Sequence, residues 1–149
     1  MMDVQVRAAE TADVHDVIEV FHASRAAAMP WLPLLHTPEE DLAFFSAQLA
    51  GGAAWVAHVD GALVGFAICS SGWLDHLYVR PDVRGEGVGS ILLARAKDDQ
   101  PSGLHLWVFT RNSPAREFYS RRGFVEVLQT DGSGNEEREP DVQMRWEGA

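Results

Sequence analysis

RGEGVG, residues 84 to 89, places glycines at 85, 87 and 89 between an arginine and the helix-forming run SILLARAK, residues 90 to 97. Glycine tolerates positive φ and lets another group approach the backbone, at a cost of about 0.5 to 1 kcal/mol inside an ordered element. So dense a run points to a ligand held against main-chain N–H groups. The preceding WLDHLYV, residues 73 to 79, reads as a strand, so the glycines lie where a strand turns into a helix. A helix N-terminus carries roughly half a positive charge together with unpaired N–H donors, which suits a pyrophosphate. Two familiar phosphate loops are excluded by spacing. A dinucleotide fingerprint needs G-x-G-x-x-G, and Ser90 stands where its third glycine belongs; a Walker A loop needs Gly-Lys-Ser/Thr, which is absent. The plain alternative is a tight strand-to-helix connection with no ligand, and the turn alone leaves both readings open.

The flanking sequence alternates element types. Val4 and Val6 mark a short strand, and Thr11 is an N-cap candidate for a helix with Val14, Val17, Ile18 and Phe21 on one face, ending near Pro30. Thr37, Pro38 and Glu40 form a capping box before Leu42, Phe45 and Leu49, the apolar stripe of a second helix that stops at Gly51-Gly52. AAWVAHV and ALVGFAICS flank Asp60-Gly61, a strong hairpin signal. After the helix over 88 to 97 come the strand LHLWVFT, a helix opened by Ser113-Pro114 and closed by Gly123, and the strands FVEVL and DVQMRW. The order is β-α-α-β-β-β-α-β-α-β-β. Tight turns impose antiparallel pairs, whereas strand-helix-strand favours a parallel crossover. The expected fold class is α/β (α+β): a mixed, largely antiparallel sheet of about seven strands with four helices over both faces, in one domain spanning 1-149.

Composition narrows the ligand class. The 149 residues are 46% hydrophobic and 23% charged, ordinary for one globular domain. Acidic residues outnumber basic ones 22 to 12, for a formal charge of -10, which disfavours nucleic acid and membrane surfaces as partners. A lone Cys69, no signal-peptide layout and no apolar run approaching the ~20 residues of a membrane span lead us to expect a cytoplasmic protein.

Arg84-Gly85-Glu86-Gly87-Val88-Gly89 resembles the R/Q-x-x-G-x-G/A signature of the GCN5-related N-acetyltransferase family, and LYVRPDVRG before it resembles that family's strand-to-turn segment. RNSPAREFYSRRGF, residues 111 to 124, is similar to the second signature, with an asparagine after the fifth strand followed by Ala, Phe-Tyr and Gly-Phe. The element order agrees along essentially the whole chain. The resemblance implies acetyl-coenzyme A as cosubstrate and no metal. Its pyrophosphate would meet the N–H groups of Arg84, Gly85, Glu86, Gly87, Val88, Gly89 and Ser90. Its pantetheine arm would lie between the fourth and fifth strands along Leu77, Tyr78 and Val79, beside Asn112, Ala115, Phe118 and Tyr119.

The implied chemistry is acyl transfer from a thioester to a primary amine of a small molecule or of a peptide or protein, by direct attack in a ternary complex. A backbone N–H, by resemblance that of Val79, would stabilise the developing oxyanion. Tyr119 would act as the acid at the departing thiolate, although it could equally be a core aromatic beside Phe118; Asn112 could be only a cap. Many family members carry a glutamate six residues before the counterpart of Val79, and this chain has Trp73 there, a residue expected to border the acceptor, which leaves the base undecided. Asp75 shares the strand face of Trp73, and His76 titrates near neutrality but points the other way unless a bulge intervenes. Glu136, Glu137, Glu139 and Asp141 form an acidic group between the last strands, either a solvated loop or a lure for a cationic acceptor. Trp31, with Leu32, Leu34 and Leu35, either caps the core or walls an acceptor pocket. A non-catalytic acyl-coenzyme A binding module is the alternative function. The acceptor's identity, the acyl chain length and the oligomeric state, a homodimer included, stay open.

Overall fold

A computed structural model describes residues 3–149. Seven strands form one sheet: β1 (Val4–Ala8), β2 (Ala53–Val59), β3 (Ala62–Ser70), β4 (Trp73–Val79), β5 (Leu104–Phe109), β6 (Val125–Thr130) and β7 (Asp141–Trp146), in the order β1-β2-β3-β4-β5-β7-β6. Every neighbouring pair is antiparallel except β4–β5. Asp60 at φ 51 and Gly61 at φ 80 turn β2 into β3, as Asp-Gly does where a hairpin requires two left-handed residues. The mixed sheet and element order match the expectation.

Four helices cover the two faces: α1 (Val14–Ala28), α2 (Pro38–Gly51), α3 (Val88–Asp99) and α4 (Ser113–Ser120). Val17, Val20 and Phe21 of α1 and Phe45 and Leu49 of α2 pack on Val56, Phe66 and Ile68 of one face. Leu92, Leu93 and Ala96 of α3 pack on Ala57, Ala67, Leu106 and Met144 of the other, where Phe118 and Tyr119 of α4 join them. Both layers bury the stripe that helical periodicity selects.

Three local expectations need correction. Thr11 does not cap α1; a 3₁₀ turn over Thr11–Asp13 precedes it, and the Asp13 carboxylate accepts the Glu10 N–H at 2.7 Å while gripping the Arg7 guanidinium. Leu42 is exposed, because α2 rolls Phe45 and Leu49 inward. Asn112, not Ser113, caps α4, its side-chain oxygen accepting the Ala115 N–H at 3.4 Å.

Two irregularities set up the functional cleft. β4 and β5 share only the register pair Trp73–His105, so the edge of β4 beyond it carries no strand partner. The β3–β4 ladder slips between Ile68 and Cys69: Cys69 pairs with Leu74 and Ile68 with His76, leaving Asp75 as the extra residue of a bulge.

Candidate active site

The first cavity, of about 460 Å³, opens between α3 and α4 at the end of β4. Leu77, Tyr78 and Val79 line it from β4, and Arg84, Gly85, Gly87, Val88, Gly89 and Ser90 from the turn. Asn112, Ala115, Phe118 and Tyr119 line it from the start and inner face of α4. The sequence-predicted set therefore converges, with one exception. Glu86 is exposed and does not line the cavity.

The glycines serve two different ends. Gly85 at φ 80 and Gly87 at φ 88 are left-handed, and a Cβ on either would stand in open space. Gly89 is ordinary helix, where an added Cβ would rest in van der Waals contact 3.4 Å from the Phe118 Cζ. The first intrahelical bond of α3 runs from the Ile91 N–H to the Gly87 carbonyl at 3.1 Å. The N–H groups of residues 88 to 90 are thus left to the cavity side, as at any helix start. Two cations border them. Arg84 donates to the Ser24 carbonyl at 3.3 Å. Arg122 lies over the Phe118 ring and donates to Ser90 Oγ through Nε at 3.1 Å and Nη2 at 2.8 Å. Arg122 escaped the sequence reading, though RRGF had placed two arginines one turn past Phe118. Asn112 Nδ2 also donates to Met29 Sδ at 3.4 Å, so the residue both caps α4 and lines the cavity.

The second cavity, of about 320 Å³, lies on the α1–α2 side of the sheet. Its walls are aromatic, from Phe21, Phe44, Phe45 and Phe109, and its rim is charged. Asp75, His76, Glu136 and Glu137 all line it. The bulge at Asp75 explains how two consecutive strand residues share one cavity, the condition that alternation alone denied His76. Glu136 accepts from His36 at 2.6 Å, Glu137 from Arg25 at 3.3 Å, and Asp41 pairs with His22 at 2.7 Å. Among the described residues Asp75 has no cationic partner, and the Ser70 hydroxyl alone donates to it.

Three residues expected at the acceptor side sit elsewhere. Asp141 is buried, accepting from the Thr130 hydroxyl and from Asn135 Nδ2 at 3.2 Å, so it ties the 131–140 loop to β7. Trp31 packs edge-on against Phe109 at 5.9 Å beneath the Arg111 guanidinium, walling neither cavity. Trp73 lies against His105 and Trp107 at 5.0 and 6.4 Å, beyond the second cavity. Glu139 is held by Arg111 in a bidentate pair at 2.9 Å.

Tyr78 is the residue that lines both cavities. Sequence reading valued this residue for its backbone and missed its side chain, because alternation along β4 cannot show that the strand separates two clefts. Burial pushes the Tyr78 and Tyr119 phenols above their ordinary value, which keeps both protonated at neutral pH. Burial likewise raises the Asp75 carboxyl, against the hydrogen bond from Ser70. His76 is pushed down to about 4 by burial and by the nearby Arg25 charge, and its Nδ1 is buried without a partner. Its imidazole is therefore neutral at pH 7. No group of three or more metal-ligating side chains gathers among the described residues.

The profile of the acetyltransferase (GNAT) domain family matches residues 50–126, and the chain belongs to that family of acyltransferases. An uncharacterized N-acetyltransferase of Archaeoglobus fulgidus is 26% identical over 151 residues, covering 89% of this chain and 100% of its own. The peptidyl-lysine N-acetyltransferase YiaC of Escherichia coli is 28% identical over 120 residues, 80% of this chain and 82% of its own. The PaiA N-acetyltransferase of Thermoplasma acidophilum, solved with coenzyme A, superposes with a TM-score of 0.75 at 22% identity, over 98% of this chain and 99% of its own. That last likeness is one of fold. No helix among the described residues is long and apolar enough to cross a membrane.

Proposed function

We propose that this chain, acting as a single domain over 1-149, transfers an acetyl group from acetyl-coenzyme A to a primary amine by direct attack in a ternary complex. The observation that carries the proposal is the pair of cavities that share Tyr78 in their linings, one bounded by the glycine turn and the other by aromatic and acidic side chains. A coenzyme pyrophosphate fits the first. The N–H groups of Arg84 and Glu86 are spent on the Pro81 and Val83 carbonyls at 3.3 and 3.4 Å, contrary to the sequence expectation, but the open space above Gly85 and Gly87 leaves the rest of the turn approachable, and Arg84 and Arg122 supply charge of the right sign. The unpartnered edge of β4 at Leu77 and Val79 offers backbone groups to an amide-bearing pantetheine arm. The structure of the relative from Thermoplasma acidophilum holds coenzyme A, which supports the same choice.

The acceptor amine enters the second cavity as an ammonium ion, drawn by Glu136 and Glu137 and bound beside Asp75. Asp75 is the proton acceptor in this scheme, because burial raises its carboxyl and no cation pairs with it among the described residues, whereas His76 is held neutral with little affinity for a proton. The freed lone pair attacks the thioester carbon, whose oxygen meets the Val79 N–H. As the C–N bond forms and the C–S bond breaks, the second nitrogen proton reaches the departing sulfur by way of the Tyr119 hydroxyl. The products are the acetamide and free coenzyme A. The test is thiol release from acetyl-coenzyme A across an amine panel. Turnover with at least one amine is expected, and an Asp75→Asn variant should lose the acid limb of the kcat/KM profile, a limb displaced above the usual carboxylate range. Binding of coenzyme A with no thiol release for any amine would leave only a binding module.

A further inference from the structure

Arg25 occupies an unusual position in the second cavity. It projects from α1 with its guanidinium 5.0 Å above the face of Phe21, yet among the described residues its side chain makes a single long hydrogen bond, from Nη2 to Glu137 Oε2 at 3.3 Å. Nε is buried and bonded to nothing, although a guanidinium carries five donors whose fork fits a carboxylate in two parallel bonds. Both partners are four-fifths buried, with side-chain exposures of 21% and 20%. An ion pair so enclosed is costly to break on one side only, because the charge left behind has no counterion.

That cost selects a ligand. An amine that recruits Glu137 strands Arg25, and a carboxylate that recruits Arg25 strands Glu137. A molecule bearing both charges, inserted between them, satisfies both and completes the open fork of Arg25. Of the other carboxylates lining the cavity, Asp41 is engaged by His22, Glu136 by His36, Glu40 by the Thr37 N–H and Asp75 by the Ser70 hydroxyl, and none of them pairs with the guanidinium. Phe21, Phe44, Phe45 and Phe109 then enclose the body of the ligand in apolar surface. We infer that the acceptor is a zwitterion on an apolar body, an α-amino acid with an aliphatic or aromatic side chain, whose carboxylate is held by Arg25 and whose amine is turned toward Glu137, Asp75 and Tyr78. This inference rests on the acetyl-transfer reading, since it names the substrate class of the same site.

The experiment is calorimetric titration of the full chain saturated with coenzyme A, using matched triplets. Phenylalanine is compared with phenethylamine and 3-phenylpropionate, and leucine with isopentylamine and 4-methylpentanoate. In at least one triplet the amino acid should bind about tenfold or more tighter than either single-charge analogue. An Arg25→Leu/Glu137→Leu double variant, which leaves neither charge stranded, should erase that preference without losing coenzyme A affinity. Amines that bind and are acetylated as well as the matching amino acids would overturn the inference while leaving acetyl transfer standing. Failure of all six ligands to bind at millimolar concentration, or a double variant that keeps the preference, would overturn it too. Selective binding of an amino acid without turnover would uphold the inference and sink the reading of transfer.

Discussion

Two alanine substitutions in the glycine turn should have opposite effects on stability. Gly87 sits at φ 88, and an added Cβ would meet nothing within 4 Å, so Gly87→Ala introduces backbone strain with no clash. A left-handed conformation costs an L-residue about 1–2 kcal/mol, enough to lower Tm by about 2–8 °C in a chain of this size. Gly89 is ordinary helix, where a Cβ would rest 3.4 Å from Phe118 Cζ and 3.7 Å from Val79 Cγ2, both tolerable contacts. Gly89→Ala should therefore stabilise by about 0.4–1 kcal/mol, because alanine restricts the unfolded chain without straining the folded one. The cofactor side follows from the same strain. If the Gly87→Ala turn relaxes away from positive φ, binding must push it back, and coenzyme A affinity falls by up to about 5–30-fold, the equivalent of that strain. Urea unfolding and calorimetric titration of coenzyme A read both quantities. A Gly87→Ala protein with wild-type stability and wild-type affinity refutes the argument, as does a Gly89→Ala protein that is the less stable of the two.

Tyr119→Phe keeps the ring against Phe118 and Phe124 and removes one hydroxyl; kcat should fall about 10²- to 10⁴-fold with coenzyme A affinity nearly unchanged, and wild-type turnover on a working acceptor would reduce Tyr119 to packing. His76→Phe places a ring among Phe21, Phe44, Phe45 and Phe66 and removes a buried unpartnered nitrogen. Because folding lowers the His76 pKa to about 4, the native protein resists protonation and loses stability as pH falls from about 6.5 toward 4, by about 3 kcal/mol for this group. The variant's unfolding free energy should be correspondingly flatter over that window, and an unchanged slope would contradict the assignment. Asp141→Asn should lower thermal stability, since it weakens the carboxylate that Thr130 and Asn135 hold, while the acceptor KM stays put; Glu136→Gln should do the reverse, and kinetics paired with thermal unfolding separate the two.

The grouping of residues around the first cavity was legible because its parts are local. Positive-φ glycines, a helix start and an aromatic pair on the next helix are encoded within a few residues of one another, and their roles depend on backbone conformations that few other residues adopt. Arg122 was harder to see, since an arginine after a helix is ordinary until its guanidinium is found on Phe118 and Ser90. The acceptor side was legible only as a composition, an acidic segment and an apolar connection, with no indication which members face inward. Asp141 and Glu136 look alike in the sequence, yet one is a buried tie and the other a cavity rim.

The sequence by itself determined the element order, the Asp60-Gly61 hairpin and the phosphate-sized turn at 84 to 89, because periodicity and glycine chemistry act over single turns of chain. Tertiary structure decided what lies across from what. The slip that makes Asp75 the extra residue of β4 turns His76 and Tyr78 toward α1 and α2, and a ladder register is fixed by the partner strand, not by the residues that shift. The second cavity's acidic rim, and the loose Arg25–Glu137 pair 112 residues apart in the chain, exist only once the β6–β7 loop has folded back over α1. Such contacts depend on packing at long sequence separation, and no local pattern records them.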